Sequence, residues 1–494
     1  MRFESGCTAF DPKLNTHGAS SSAGDIAQMA AVPPSEQKSE PSSFSRTESD
    51  ILILDAHTFK DLEVFESQTG ETSLFQLCNS SRSAGGAKVL RRRMRHPWSS
   101  ADLIRATQES LTFILSQRQA FTAQPSAWLT SSAEHYLRGP FPVVPYENWL
   151  QFGLGAFAMR TNHHRYYFKI ESGVQVTCTT IRMIRRFVDQ ADLRSPVGEL
   201  APLFEEIREL LARPNLSQVP DENAIVRTWK ILRLDQIFRD QEKATVHRLV
   251  ELIYEIDALV SMADVHHEYG FVLPRIEKGP LSVHAEDLVH PFVQNAVANP
   301  AELNQERRVL FLTGPNMAGK TTYLRALATA LYFAHLGMGV PAKSFGFVPA
   351  QRLFSSFSLN DDLRHGVSYF RAEAIRVKAV AQAVAEGYRV VAFMDEPFKG
   401  TNVKDAFDAS LAILLRFAAK EDCLFMFSSH LIELGEQLSG TRQIDRRYFA
   451  AEESEGRLRF DFLLHRGVSS QRLGMRVLHE EGIFSLLDGN SKPA

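Results

Sequence analysis

The run Gly314-Pro315-Asn316-Met317-Ala318-Gly319-Lys320-Thr321 fits the pattern GxxxxGK[ST]. It follows the apolar stretch Val309–Leu312 and precedes Tyr323-Leu324-Arg325-Ala326-Leu327-Ala328, a segment of helical character. A strand feeding a glycine-bearing loop that opens a helix constrains the fold more than any other feature of the chain. The loop's backbone N–H groups can close around phosphates, and the helix presents its positive end to the same anion. Lys320 is therefore expected to bridge the β- and γ-phosphates of ATP, and the Thr321 hydroxyl to ligate Mg2+.

Two further apolar runs read as buried strands of the same sheet. Val390–Met394 ends in Asp395-Glu396, and Leu424–Phe427 leads into Ser428-Ser429-His430. A carboxylate at a strand tip can hold Mg2+, usually through water, and its neighbour can orient or deprotonate the attacking water. Asp395 takes the first role and Glu396 the second. His430 is placed to contact the γ-phosphate or that water. Strands alternating with helical segments over roughly the last 220 residues predict a mostly parallel sheet with its ligand at the strands' C-terminal ends.

The 494 residues leave room for about three domains, so large cores need no disulfide or metal staple. Cys7, Cys78, Cys178 and Cys423 form no CxxC pair, which points to a reducing cytoplasm. No uncharged apolar run approaches the ~18 residues of a membrane span, and no secretory pattern opens the chain. A soluble, cytoplasmic protein is expected. Fifty-five basic against 58 acidic residues give a net charge of −3, so contact with nucleic acid would have to come from local basic patches. Arg91, Arg92, Arg93 and Arg95 form one such cluster. Arg182, Arg185 and Arg186, with Tyr166 and Tyr167 upstream, form another. The first cluster suits a structural or lever-associated role as well as phosphate contact, and the second is the better candidate for a DNA surface.

Residues 1–50 carry ten serines, the pair Pro33-Pro34 and few large apolar side chains, and read as a flexible tail. From Ile51 the apolar density rises, and a folded, all-α region is expected over 51–275. Ile104, Leu111, Ile114 and Leu115 recur at helical spacing behind the candidate N-cap Ser100. Prolines over 139–150 and an aperiodic stretch to about 244 leave the middle weakly patterned. Val246, Leu249, Ile253, Ile256, Val260 and Ala263 draw one apolar stripe along a long helix. That helix suits either the core of an ordinary bundle or a lever joining two domains. A boundary near 275 separates this region from an ATPase domain over 276–494.

Thr313–Arg325, TGPNMAGKTTYLR, closely resembles the phosphate loop of the MutS DNA mismatch repair family, which reads TGPNMxGKST followed by Tyr and Arg. Further likenesses come in the family's order: Asp361-Asp362, Ser368 to Glu373 against SxFxxE, Asp395-Glu396 with Gly400-Thr401 against DExxxGT, and His430. Asp61 to Phe75, Leu90-Arg91-Arg92 and His96-Pro97 resemble the start of the family's lever, and Ile256 to His290-Pro291 with Asn299-Pro300 its return. The resemblance implies an ABC-type P-loop ATPase preceded by a helical lever. Phosphate contacts from Gly314 to Lys320, Thr321 and Thr322 go with it. It also implies that Ser368 reaches toward a partner's γ-phosphate, hence a homodimer with two composite ATP sites. Phe292 and Val297 are candidates for contact with the base.

Departures accompany the likeness. No GxFYE mismatch wedge is present, so the mismatch-reading and connector domains are expected to be absent. Pro397, Phe398 and Lys399 replace commoner residues after Asp-Glu, and the chain ends soon after Gly474. The function implied is an ATP-driven clamp on mismatched, branched or distorted DNA in repair or recombination, working with a repair partner protein. The alternative is a nucleotide-dependent protein-interaction switch that has lost DNA binding.

Overall fold

In the computed structural model of the chain, the residues described are 48–67, 70–140, 142–144, 149–220, 227–357, 369–454, 457–469 and 483–487. The expected tail is outside them up to residue 47, as are Asp361-Asp362, Ser368 and Gly474. Residues 46–494 form one compact unit.

Eleven strands are described: β1 (Ile53–Leu54), β2 (Arg275–Ile276), β3 (Val283–Leu288), β4 (Asn299–Leu303), β5 (Val309–Thr313), β6 (Ser344–Phe347), β7 (Arg352–Ser356), β8 (Val390–Asp395), β9 (Leu424–Ser428), β10 (Ile444–Ser454) and β11 (Arg457–Arg466). Seven make the main sheet, in the order β1-β7-β8-β9-β5-β10-β11. All its pairings are parallel except that of β10 with β11. The three strands expected from sequence lie side by side at its centre as β8, β9 and β5.

Their continuous apolar character follows from covering both faces of the sheet. Leu310, Leu312, Val391, Phe393, Leu424 and Met426 pack into one core with the helix Lys320–His335. Val309, Phe311, Val390, Ala392, Phe425 and Phe427 alternate with them and pack into a second core. The helices Tyr369–Ala385 and Val403–Ala418 cover that second face.

Two features depart from the sequence reading. A second sheet, β2-β6-β3-β4, is largely antiparallel, and its short alternating strands carry no continuous apolar run. The segment after Ile51, expected in the helical region, adds β1 to the edge of the main sheet, where Ile53 and Leu54 pair with Arg352 and Leu353. The boundary near 275 is therefore crossed by the chain's own beginning.

The helical region is built around Lys243–Tyr269. The expected stripe is buried, but so are Val250, Leu252, Leu259, Met262 and Val265, so the helix is apolar on more than one face. It packs against the helices Ala84–Arg95, Ala101–Ser116 and Leu200–Leu211. Gly270, at φ 65°, ends it in the left-handed conformation that a side chain resists. Phe271 then packs on Phe333 of the helix after the phosphate loop, with ring centroids 6.3 Å apart. The same helix is thus a bundle core and a bridge to the sheet.

Each basic cluster is only partly internal: Arg93 and Arg182 are buried, Arg91, Arg92 and Arg185 are half-buried, and Arg95 and Arg186 are exposed. Arg93 is buried and pairs with Glu199 at 2.6 Å and Glu255 at 3.5 Å, while Arg92 also binds Glu255. Arg91 lies over the Phe65 and Phe75 rings, at 4.7 and 5.3 Å. In the second cluster Arg182 is buried and donates to Thr179 and the Pro220 carbonyl, and Arg185 donates to the Leu216 carbonyl. Tyr167 is buried too. Arg92, Arg93, Arg182 and Arg185 therefore direct their hydrogen bonds to neighbouring helices and loops, while Arg95 and Arg186 face solvent.

Candidate nucleotide site

Register in the main sheet brings the chemical groups level. Leu312 of β5 pairs with Ser428 of β9, which pairs in turn with Asp395 of β8. The residues that follow each strand therefore emerge along one edge. Gly314 leaves β5 at φ 144°, and a Cβ there would meet the Phe449 carbonyl oxygen at 2.7 Å, so glycine is required on both counts. Gly319, at φ 102°, stands at the N-terminus of Lys320–His335. Met317 also has a positive φ, 67°, and its side chain is exposed.

Lys320 is buried, and its ammonium donates to the carbonyls of Gly314 at 2.9 Å and Pro315 at 3.1 Å. It also lies 3.6 Å from Glu396 Oε1. Thr321 Oγ1 donates to Asp395 Oδ2 at 2.5 Å. The other Asp395 oxygen accepts from the Ser428 hydroxyl, whose oxygen in turn accepts the Glu396 N–H at 3.1 Å. Ser428 is the residue that sequence reasoning missed here. A polar side chain closing an apolar strand was its only signal.

Glu396 adopts φ 48°, a conformation costly for a side-chain-bearing residue and concentrated at functional sites. Its Oε2 is 4.0 Å from His430 Nδ1, and His430 is 55% exposed. Lys320, Thr321, Asp395, Glu396 and His430 thus converge. Thr321 and Asp395 supply adjacent hard oxygen donors, which suit a small divalent cation that keeps most of its water. Among the described residues no group of three His, Cys, Asp or Glu side chains forms a closed metal cage. Oxygen chemistry of this kind fits Mg2+.

A cavity of about 590 Å3 opens beside the loop, of a size that takes a small-molecule ligand. Asn316, Met317, Gly319, Lys320, Thr321 and Thr322 line one side, and Val297 and Phe462 the other. Phe292 does not line it but packs on His290, with centroids 5.8 Å apart. His290 does line the cavity, and burial, reinforced by Arg325, pushes its pKa down to about 4. Phe462 was not legible in sequence. The Asn299 side chain donates to the Phe462 carbonyl at 2.8 Å and accepts from the Leu464 N–H at 2.7 Å, which pins this part of β11 against the cavity.

The segment resembling SxFxxE is tied to the Asp-Glu loop within the chain. Phe370 packs on Phe398, with centroids 5.9 Å apart, and Glu373 accepts the Gly400 N–H at 3.4 Å. Burial holds the Glu373 carboxyl above its ordinary range, partly offset by backbone N–H groups of Gly400, Lys399 and Phe398.

Residues 310–485 match the family model of MutS domain V. The match begins inside β5 and takes in the phosphate loop, Asp395-Glu396, Ser428 and His430. It supports membership of the MutS family, whose domain V is an ATPase domain, and it agrees with the mostly parallel sheet flanked by helices. None of the described helices is long and apolar enough to cross a membrane.

Proposed function

We propose that the chain is a Mg2+-dependent ATPase of MutS type, in which binding and hydrolysis of ATP move the helical region on mismatched, branched or distorted DNA. The observation that carries this reading is the convergence of Lys320, Thr321, Asp395 and Glu396 at the ends of neighbouring strands. The loop N–H groups and the Lys320 ammonium bind the β- and γ-phosphates and neutralise charge that grows on the bridging oxygen. Glu396 orients the attacking water and takes its proton, with His430 on the side away from Lys320. Mg2+, when bound through Thr321 and Asp395, supplies Lewis-acid neutralisation of the phosphate oxygens.

Transmission has a physical route. The helix Lys320–His335 that begins at the site donates from Arg325 to Glu63 at 3.2 Å and from Tyr332 to the Met94 carbonyl at 2.6 Å. The His335 carbonyl accepts the Trp98 N–H at 2.8 Å. Asp61 accepts from Ser355 Oγ at 2.9 Å and the Phe357 N–H at 2.8 Å. These contacts offer a shift at the phosphate loop a hydrogen-bonded route to Asp61, Glu63, Met94 and Trp98. A homodimer and a repair partner protein belong to the same proposal and rest on the family likeness, and a cytoplasmic location rests on the cysteine pattern.

A second reading, a nucleotide-dependent protein-interaction switch, is favoured by the burial of Arg93 and Arg182 and by the internal pairing of Arg92 and Arg185. ATP turnover of the wild type and of Glu396→Ala, with and without homoduplex, mismatched and branched DNA, separates the two. Stimulation by one DNA class supports the clamp. Indifference to every DNA, with turnover intact, supports the switch, and no ATP retention at all would overturn both.

A further inference from the structure

At one end of the helical region, the helices Trp149–Asn162 and His164–Val188 meet at His163, and Thr228–Gln236 packs against both. Arg160 Nη1 lies 3.0 Å from Thr228 Oγ1, and Tyr167 OH is 3.4 Å from the same hydroxyl, so the three segments are joined there. Around this junction Phe157, Phe168 and Trp229 are 69%, 63% and 52% exposed, and Tyr166 is 48% exposed. Four large exposed rings on three mutually packed helices are unusual for elements that meet only water.

The charges within two stretches here are of one sign, with Glu171 and Asp235 following at their ends. No Asp or Glu occurs from Trp149 to Ile170 or from Arg227 to Leu234, whereas Arg160, Arg165 and Arg227 are all exposed. The chain as a whole carries more acid than base, so the segregation is local. Rings and cations alternate closely: Phe157 with Arg160, Arg165 with Tyr166 and Phe168, Arg227 with Trp229. A strand of unpaired nucleotides offers the complementary alternation, flat faces for the rings and phosphates for the guanidinium groups. Duplex DNA hides its base faces and would leave the rings without a role. A membrane surface would favour one continuous apolar stripe, whereas here the apolar pair Leu154 and Phe157 is followed by Arg160, and the remaining rings lie close to Arg165 and Arg227 in sequence on two other segments.

We propose that this end of the helical region binds single-stranded DNA by base stacking on Trp229, Phe168, Phe157 and Tyr166 and by phosphate contact with the neighbouring arginines. The choice of DNA rests on the reading under Proposed function, and it makes unpaired bases the feature recognised in a branched or distorted substrate. The test uses the full chain and fluorescein-labelled oligo(dT), followed by anisotropy over a range of salt, with oligo(rU), homoduplex DNA and anionic phosphatidylglycerol vesicles as further arms.

Salt-sensitive binding of oligo(dT) in preference to homoduplex is expected, with partial quenching of tryptophan fluorescence. Trp229→Ala should weaken it roughly tenfold and Trp229→Phe should restore most of it, because stacking needs only a flat ring. Arg165→Gln and Arg227→Gln should each lower the salt slope by about one. ATP retention at Lys320 should be unchanged in all four variants, which separates failure of this surface from failure of the ATPase reading. Equal or tighter binding to homoduplex or oligo(rU), partition to vesicles instead of oligo(dT), or indifference to Trp229→Ala would each overturn the inference.

Discussion

The Thr321 hydroxyl and the Asp395 carboxylate meet at 2.5 Å although 74 positions separate them in sequence. The contact joins the first turn of the helix after the phosphate loop to the tip of a different strand. Ser428 closes the arrangement from a third element by donating to the other carboxylate oxygen. A divalent cation bound at this pair would be shared between the two halves of the nucleotide site, so its loss would uncouple them.

Asp395→Asn tests that arrangement. The amide keeps one acceptor oxygen and places an N–H donor at the other position, where a rotated hydroxyl of Thr321 or Ser428 can accept it, so the fold should be retained, as circular dichroism would show. Apparent affinity for Mg2+ should fall on the order of 10- to 100-fold, with turnover falling alongside. Turnover that saturated at the wild-type Mg2+ concentration would contradict a ligand role for Asp395.

Glu373 should tune stability through pH. Its folded carboxyl holds a proton more tightly than the free group, whose ordinary value is 4.5. The stabilisation it brings is therefore complete below that value and is lost as pH rises through the higher folded one. Glu373→Gln keeps an acceptor for the Gly400 N–H and should remove this dependence from chemical-denaturation curves. Glu373→Ala removes the acceptor as well and should cost about 1 kcal/mol.

His335 acts in the opposite sense. Its Nδ1 lies 2.7 Å from the Leu331 carbonyl oxygen and its Nε2 accepts the Ala350 N–H at 2.9 Å, an arrangement only the neutral ring can make. Burial pushes its pKa down from 6.5 to about 4. The folded ring stays neutral while the unfolded one protonates, so stability is present above 6.5 and falls as pH drops toward 4. A shift of that size corresponds to a loss on the order of 3 kcal/mol. Urea titrations across this range should show the slope, and a flat profile would contradict the buried neutral ring.

Arg325 and Glu63 should be energetically coupled across the junction between the helical region and the sheet. The pair is 3.2 Å apart and mostly buried, and Arg325 also lies 5.5 Å from the centroid of the Phe357 ring. A double-mutant cycle with Arg325→Met and Glu63→Gln should return a coupling of roughly 1 kcal/mol. If the pair carries motion, ATP should change amide exchange over residues 61–66 in the wild type and not in Arg325→Met.

Much of the site was legible because its chemistry is local. Gly314 to Thr321 are consecutive, and the turn, the N–H groups proposed to meet phosphate and the helix start all belong to one short segment. Val390–Met394 and Leu424–Phe427 were legible for a related reason: a strand covered on both faces must be apolar at every position. The helix around Val246 to Ala263 was readable from its period, although the breadth of its buried surface was not. Ser428, Asn299 and Phe462 escaped notice because each acquires its role from a partner on another strand, set by register and not by neighbours in sequence.

The arginine clusters mark the same division. By composition Arg93 and Arg182 are cations like Arg160 and Arg165, and sequence left open whether the first two bind nucleic acid or hold the structure together. Packing gave Arg93 the carboxylate of Glu199 and Arg182 the Pro220 carbonyl, while Arg160 and Arg165 remained exposed beside Phe157, Tyr166 and Phe168. Sequence alone determined that a phosphate loop opens a helix and that acidic and imidazole groups follow two more buried strands, since those are properties of contiguous residues. Which of these groups touch, which cations face water and where the chain's beginning joins the sheet were decided by tertiary structure. Burial and strand register are long-range quantities that no local window contains.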